Sequence, residues 1–139
     1  MAIRDLGVLL RTLSVRQRPG RWVIMTGIAV PPDVPVAATV VEDEGTTSVV
    51  ALEDAEQLGA DLSFVAAWLT LDMFSSLDAI GLTAAVAGAL VERGIPCNVL
   101  AGFHHDHLLV PYELAGPAMA AIDGLRTPAT RSSGAPPSA

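Results

Sequence analysis

The stretch that decides the fold is LTLDMFSSLDAIGLTAAVAGALVERGIPCNVLAGFHHDHLLVP, which runs from Leu69 to Pro111. It opens with the end of an apolar strand near Leu71, and a loop, Asp72 to Ile80, then leads to Gly81. Small apolar residues follow Gly81 and predict a helix, which Gly94-Ile95-Pro96 ends because glycine and proline stop helices. A strand, a loop and an apolar helix therefore follow one another within a short segment.

Two short strands come after this helix. We expect them at Cys97–Phe103 and His107–Val110, joined by the polar turn His104-His105-Asp106. The order strand–helix–strand–strand opens a split βαβ, ferredoxin-like unit. The sequence therefore predicts an α+β fold of the ferredoxin-like βαββαβ type, with a mainly antiparallel sheet and helices packed on one face of it.

The segment before this stretch predicts more strands than helices. Leu6, Leu9 and Leu13 recur at helical spacing, whereas three prolines between residues 30 and 35 indicate a loop, since proline cannot donate to a strand ladder. The run from Leu62 to Leu71 is almost continuously apolar, which indicates a strand buried on both faces. The expected elements before it are a helix at Ile3–Leu13, a polar turn at Arg16–Gly20, strands at Arg21–Ile28, Val36–Val41 and Thr46–Leu52, and a short helix at Glu53–Leu58.

The chain after Val110 holds one more predicted helix and no further strand. The helix is expected at Tyr112–Leu125, and residues 126–139 have the composition of a disordered tail. A ferredoxin-like unit needs a last strand, which we expect the N-terminal half to supply, with Arg21–Ile28 as the candidate. We therefore predict two incomplete units that share one sheet, an N-terminal half at residues 1–61 and a second domain at residues 62–125.

Composition places the chain among folded proteins and disfavours several functions. Hydrophobic residues make up 51% of the chain and charged residues 17%, so its body is not disordered. The formal net charge of −7 disfavours binding to nucleic-acid phosphates. No apolar run reaches the roughly 20 residues of a membrane span, and no signal peptide is visible. We expect a cytoplasmic protein with neither nucleic acid nor membrane among its partners.

The helix after Gly81 is apolar on every side. Between Ala79 and Val91 the only polar side chain is that of Thr83, and a helix of this kind is typically buried all round. One face must cover the sheet, and the other must meet a second layer or a second chain. Alanines and Gly88 on that other face permit close approach, so the pattern predicts a homodimer or an internal pair of similar units.

The segment from Ser75 to Pro111 resembles the ACT domain, a regulatory domain that binds small ligands, and it is most similar to the divergent CASTOR-like branch of that family. The resemblance covers roughly residues 64–124 and rests on a glycine at the helix start, a helix stop and the run HDH-x-x-VP. It implies a regulatory domain for an amino acid or related metabolite, with two ACT units side by side as in CASTOR and aspartokinase. The matching residues are Gly81, Gly94-Ile95, Asn98, His105-Asp106-His107 and Val110-Pro111.

The start of this helix is the first candidate ligand site. Unpaired amides and the positive end of the helix dipole can bind a carboxylate there, and Gly81 lets a ligand approach the backbone. The resemblance implies a ligand held by the backbone of Ile80, Gly81 and Leu82. Asp78 either repels the carboxylate of the ligand or holds its ammonium group. The alternative from the sequence alone is that Ser76 or Asp78 only caps the helix.

The turn between the last two strands is the second candidate site. His104, His105 and His107 are candidate ligands of a divalent metal, although strand alternation puts only His105 and His107 on one face. A solvated polar turn is the alternative. The resemblance instead implies that Asp106 lies near the ligand and holds an ammonium group or a side-chain cation. Asn98, a polar residue in an apolar strand, either contacts a ligand or bonds to neighbouring backbone.

The sequence offers little support for catalysis. It contains no G-x-S-x-G, phosphate-loop or H-E-x-x-H motif, and no nucleophile stands beside the histidines. We therefore expect a non-enzymatic regulatory domain without a cofactor, whose partners are a small amino acid or metabolite and a second copy of the chain. The alternatives are a structural homo-oligomerisation module without a ligand and a divalent-metal-binding protein.

Overall fold

Six strands form one sheet in the computed structural model, which describes residues 5–73 and 79–126. The predicted tail beyond residue 126 lies outside the described residues. None of the described helices is long and apolar enough to cross a membrane. The strands are β1 (Val15–Thr26), β2 (Ala38–Glu42), β3 (Gly45–Ala51), β4 (Ala66–Leu71), β5 (Asn98–Ala101) and β6 (Asp106–Pro111). The helices are α1 (Leu6–Thr12), α2 (Leu52–Gln57), α3 (Leu82–Glu92) and α4 (Ala115–Gly124), and a 3-10 turn at Tyr112–Leu114 precedes α4.

The strand order is β2-β3-β1-β4-β6-β5, and every neighbouring pair is antiparallel. β1 lies beside β4 at the centre, where Val15 pairs with Leu71 and Trp22 with Ala66. The last strand of a ferredoxin-like unit pairs with its first strand. β1 therefore completes the C-terminal half, and β4 completes the N-terminal half. The predicted fold class and the supply of the missing strand by the N-terminal half are both confirmed.

β1 is longer than the sequence predicts. The polar turn expected at Arg16–Gly20 is wrong, because these residues belong to the first half of this 12-residue strand. The register towards β4 shifts between Arg18 and Trp22, which is where Pro19 lies. A bulge accommodates proline because the ladder is interrupted there and no amide donor is required.

The other elements overlap their predicted ranges and differ at the ends. The strand predicted from Leu62 begins only at Ala66. The last helix, predicted from Tyr112, starts as a 3-10 turn and becomes α-helical at Ala115. Pro117 then lies in the first turn of α4, where the missing amide is not needed by the helix.

The two faces of the sheet have different surroundings. Along β4, Ala67, Leu69 and Leu71 belong to the apolar cluster beneath the helices, whereas Trp68 and Thr70 point to the opposite side. We call these sides the covered face and the open face. Every residue of β4 is buried, as the apolar run in the sequence predicts.

All four helices pack on the covered face, as predicted. The larger of two apolar clusters there lies beneath α1, α3 and α4 and includes Leu9, Leu69, Val86, Leu108 and Ile122. The smaller cluster lies beneath α2, and its buried members are Val23, Met25, Val50 and Ala55. Each buried leucine contributes about 1.5–3 kcal/mol to the free energy of unfolding. Because the buried leucines of this face belong to the larger cluster, the start of α3 lies on the better packed half of the molecule.

Candidate functional site

The predicted helix start and hairpin turn lie at the same end of the sheet. His107 of β6 pairs with Thr70 near the end of β4, which places the β5–β6 turn beside the loop that leads to α3. His105 ties the two segments together, since its Nδ1 lies 3.0 Å from the carbonyl oxygen of Met73 in a hydrogen bond. The structure therefore brings two of the predicted site segments to one place.

α3 begins without a side-chain cap from its N-cap residue. This residue is Gly81, whose φ of 99° lies in the left-handed region that favours glycine. α1 differs, because the Asp5 Oδ1 accepts a hydrogen bond from the Val8 amide at 3.0 Å. The first amides of α3 have no partner within the helix and lie at the positive end of its dipole, a geometry that binds carboxylates. The predicted cap residues Ser76 and Asp78 lie outside the described residues.

α1 closes one side of this helix start. A Cβ added to Gly81 would lie 2.9 Å from the Leu6 Cδ2, so Leu6 packs directly on the glycine. Leu82 is buried in the larger apolar cluster and offers only its backbone to a ligand. Ile80, by contrast, is 85% exposed. Among the described residues, the first amides of α3 are therefore more open on the side of Ile80 than on the side of Leu6.

Asp106 and Asn98 are the two remaining predicted site residues, and only Asp106 lies at this end of the sheet. Asp106 is the half-buried first residue of β6, and it points to the covered face because His107 points to the open face. Asn98 pairs with Leu109 at the far end of β5 and is exposed. Asp106 thus shares its face and its end of the sheet with Gly81, and Asn98 does not.

Two side chains of β4 hold His107 on the open face. The Trp68 Nε1–H donates to the His107 Nδ1 at 3.2 Å, and the Thr70 Oγ1 lies 3.0 Å from the same nitrogen. Because the indole N–H can only donate, Nδ1 accepts, and the neutral ring carries its proton on Nε2. Burial, followed by the charge of His105, lowers the pKa of His107, although Asp106 acts in the opposite direction. The ring is therefore a neutral hydrogen-bond donor at neutral pH.

The three histidines of the turn have different surroundings. His105 bonds to the loop before α3, His107 bonds to β4, and the ring of His104 lies edge-on to Phe103 with the centroids 5.2 Å apart. The rings of His105 and His107 are 6.4 Å apart. Within residues 5–73 and 79–126, no group of three or more His, Cys, Asp or Glu side chains is placed to hold a metal ion. The geometry therefore gives the metal alternative no support.

Sequence reasoning missed a pocket on the open face. Its volume is about 400 Å³, and β2 and β5, which form the two edges of the sheet, both line it. The sheet therefore curls until its edges approach each other above β4 and β6. Strand alternation could have placed the aromatic residues on one face, but the approach of two edges leaves no local pattern in the sequence. We call this space the open-face pocket, and its lining includes Ala38, Val40, Trp68, Val99, Gly102 and His107.

An aromatic and basic cluster adjoins the open-face pocket. A second cavity of about 270 Å³ shares the wall residue Ala37 and is lined by Arg18 and Trp22. The Arg18 guanidinium lies 4.5 Å from the centroid of the Trp22 ring and 4.7 Å from that of Trp68. These are cation–π distances, so Arg18 places its positive charge on the open face beside the two indoles.

Two family models match the chain. A model of the ACT domain matches residues 1–67, and a second model of the ACT domain matches residues 63–123. No curated protein matches the chain. The more specific resemblance to the CASTOR-like branch stays a prediction.

Solved structures share the fold. A Vibrio cholerae protein of unknown function, described as a possible transport protein, is 37% identical; the match covers 88% of this chain and 96% of that chain, with a TM-score of 0.78. The ligand-free regulatory subunit of aspartate kinase from Thermus thermophilus is 14% identical, with coverages of 81% and 96% and a TM-score of 0.57. Aspartokinase III of E. coli, in complex with aspartate and ADP, is 14% identical, with coverages of 84% and 33% and a TM-score of 0.57. At these identities the two kinase matches establish the fold alone.

Proposed function

Because the chain belongs to the ACT domain family, we propose that it is a non-catalytic regulatory domain that binds a small amino acid or a related metabolite. The observation that carries this proposal is the start of α3 at Gly81, an N-cap residue without a side chain, which shares its end and face of the sheet with Asp106. Free backbone amides suit the carboxylate of an amino acid, and a carboxylate suits its ammonium group.

In the proposed mode of binding, the amides at Ile80 to Leu82 hold the carboxylate of the ligand and Asp106 holds its ammonium group. We assign Asp78 to the same ammonium group. Asn98 lies at the far end of β5, so it contacts this ligand only from a second copy of the chain. Membership of the ACT domain family and the fold shared with the regulatory subunit of aspartate kinase support a ligand-binding regulatory role.

Isothermal titration of the common amino acids into the full chain tests the proposal, with Asp106→Asn as the first variant. The substitution removes the charge and keeps the shape, so we expect at least about tenfold weaker binding. Asp33→Asn is the matched control, because exposed Asp33 lies in the β1–β2 loop at the opposite end of the sheet. Unchanged affinity in Asp106→Asn contradicts the role of Asp106, and binding of no amino acid contradicts the ligand class.

A second variant tests the helix start itself. Ile80→Glu adds a carboxylate beside the first amides of α3, where it competes with that of the ligand, so we expect at least about tenfold weaker binding. The fold tolerates this change because Ile80 is 85% exposed. Val41→Glu is the control, since Val41 is 83% exposed on the edge strand β2. Equal affinities of the two variants contradict a ligand at the helix start.

The proposal also covers the organisation and setting of the chain. We propose an N-terminal half at residues 1–61 and a domain at residues 62–125, which depend on each other because β1 and β4 each complete the sheet of the other half. We place the protein in the cytoplasm, without nucleic acid or membrane as partners. The net charge of −7 supports the exclusion of nucleic acid.

The outer face of α3 supports a second proposal, a homodimer of this chain. Leu82 and Leu90 face the core, whereas Gly88 is exposed and Val91 is 73% exposed. A Cβ on Gly88 would meet no atom within 4 Å, so a second helix can approach closely. Light scattering should find a dimer that Gly88→Arg dissociates and that Gly124→Arg, on α4, leaves intact. A monomeric wild type contradicts this proposal, and a dimer that binds no ligand favours the structural module.

A further inference from the structure

The open-face pocket is distinct from the helix start, and the proposed function does not use it. It lies on the side of the sheet on which none of the described helices packs. Consecutive residues line it on both edge strands, from Ala38 to Val40 on β2 and from Val99 to Ala101 on β5. Its volume of about 400 Å³ falls within the range of small-molecule sites, roughly 300–1,000 Å³.

One side-chain N–H marks the floor of this apolar space. His107 lines the open-face pocket, and its Nδ1 is taken by Trp68 and Thr70, so Nε2 carries the proton. A Cβ on Gly102 would lie 3.2 Å from the Nε2 and 2.8 Å from the carbonyl oxygen of His105. Glycine at this position therefore leaves room for a ligand atom beside the N–H, room that any other residue would fill.

The charges around the open-face pocket favour an anion over a cation. No Asp or Glu is among the described residues that line it, so an ammonium group inside would be buried without a partner. Arg16 and Arg18 both act on the His107 ring as positive charges, although Arg16 also forms an ion pair with Asp72, its Nε 3.5 Å from the Asp72 Oδ2. Asp106 acts on the ring with the opposite sign, but it points to the covered face.

We propose that the open-face pocket binds a small apolar carboxylic acid that lacks an amino group. Its carboxylate accepts the hydrogen bond of the His107 Nε2–H, and its hydrocarbon part lies between Val40, Leu100 and the Trp68 indole. The pocket and the helix start thus select different molecules, because only the helix start has a carboxylate, that of Asp106, for an ammonium group.

Three probes with one carbon skeleton test this selectivity: 4-methylpentanoate, its amide 4-methylpentanamide, and leucine, which adds an ammonium group to the acid. Trp22 and Trp68 are the only tryptophans of the chain, so its intrinsic fluorescence reports occupation of the pocket. For an acid of this size a Kd of about 1 mM is expected. The amide and leucine should each bind at least about tenfold more weakly, since one lacks the charge and the other buries an unpaired ammonium.

A pair of phenylalanine variants locates the binding. Val40→Phe fills the pocket from β2, whereas Val41→Phe adds the same side chain to the next residue of the strand, which points to the opposite face and does not line the pocket. Val40 is 45% exposed and Val41 is 83% exposed, so both variants are expected to fold. Val40→Phe should weaken 4-methylpentanoate binding at least about tenfold, and Val41→Phe should leave it unchanged.

Four results would overturn the proposal. The first is no fluorescence change with 4-methylpentanoate at about twenty times the expected Kd. The second is an equal effect of the two phenylalanine variants. The third is binding of leucine as tight as that of the acid and equally sensitive to Val40→Phe. Ile80→Glu should leave 4-methylpentanoate binding intact, and a loss there would place the probe at the helix start and overturn the proposal as well.

Discussion

The two halves of the sheet connect their first two strands differently, and the difference assigns them different roles. Between β4 and β5 the chain forms α3, which begins at Gly81. Between β1 and β2, residues 27–37 form a loop with three prolines, which cannot continue a helix. The N-terminal half therefore has no helix at the position that α3 occupies in the C-terminal half. Its loop ends instead at Ala37, which lines both cavities of the open face.

The two central strands show a second difference. Each places a tryptophan on the open face, but only the Trp68 indole N–H finds a hydrogen-bond acceptor, the His107 Nδ1. Val49 holds on β3 the place that His107 holds on β6, and the buried Trp22 Nε1 has no partner in the part of the chain that the structure describes. The C-terminal half thus satisfies the indole N–H of its tryptophan, and the N-terminal half, over its described residues, does not.

The largest expected effect compares the two apolar clusters. Leu90→Ala, in the fully buried centre of α3, should lower the free energy of unfolding by about 2–5 kcal/mol because it opens a cavity in the larger cluster. Leu58→Ala, at a half-buried position that packs on the smaller cluster, should cost less than half as much. Urea unfolding of both variants measures the difference. Equal losses would mean that the two halves are equally well packed.

The next effect compares glycines of the two connections. Gly81→Ala should lower the free energy of unfolding by about 1–3 kcal/mol, because the left-handed backbone is strained for alanine and the new Cβ meets Leu6. Gly27→Ala, with a φ of 73° and no atom within 4 Å, should cost only about 1 kcal/mol. Denaturant midpoints of both variants check this order.

Removing the Leu6 side chain separates two causes of the loss in Gly81→Ala, the strained backbone and the clash with Leu6. The double variant Gly81→Ala with Leu6→Ala should recover part of the loss relative to Leu6→Ala alone, since the clash is gone and the strain remains. If the double variant recovers nothing, α1 does not crowd the helix start, and only the backbone conformation makes glycine necessary there.

A smaller effect concerns the two indoles. Trp22→Phe and Trp68→Phe remove similar apolar area, but only Trp68→Phe also removes a hydrogen bond to His107. We expect Trp68→Phe to be more destabilising by about 1 kcal/mol, measured by thermal or urea unfolding. Equal losses of unfolding free energy would mean that the contact between Trp68 and His107 contributes nothing to stability. The difference between β1 and β4 would then be one of structure alone.

Local patterns in the sequence predict the covered face of this molecule well. Helical spacing of leucines places α1, the glycine–proline stop ends α3, and the continuous apolar run predicts that β4 is buried on both faces. The absence of a predicted strand after the last helix leads correctly to β1 as its substitute. Each of these inferences depends on residues close together in the chain or on the known requirements of one unit.

Features that depend on distant residues escape the sequence. Pro19-Gly20 reads as a break, but pairing with both β3 and β4 holds the segment as strand and reduces the break to a bulge. The separation of Asn98 from Asp106 follows from the β5–β6 register, and the packing of Leu6 on Gly81 from the position of α1. The open-face pocket depends on the curl of the whole sheet, which no periodicity records.

The smallest expected effect concerns pH and compares His107 with Val49, its counterpart on β3. Burial is the main cause that lowers the pKa of His107 below its ordinary value of 6.5. Between these two pKa values the unfolded chain binds a proton that the folded chain does not, so the free energy of unfolding falls as the pH drops below about 6.5. The contribution of His107 is therefore fully present above that pH and is lost on acidification.

His107→Val gives β6 the residue type that β3 carries at Val49. It should flatten the dependence of the free energy of unfolding on pH in this range. Urea unfolding at several pH values between about 7.5 and 5.5 measures the slope, and carboxylates that titrate in both proteins cancel in the comparison. His104→Val is the control, because it removes a histidine from an exposed position of the same turn. If His107→Val loses as much stability on acidification as the wild type does, the buried imidazole is not the acid-sensitive group. A flatter slope in His107→Val alone would place the acid sensitivity on β6, in the half of the molecule that also carries the helix start.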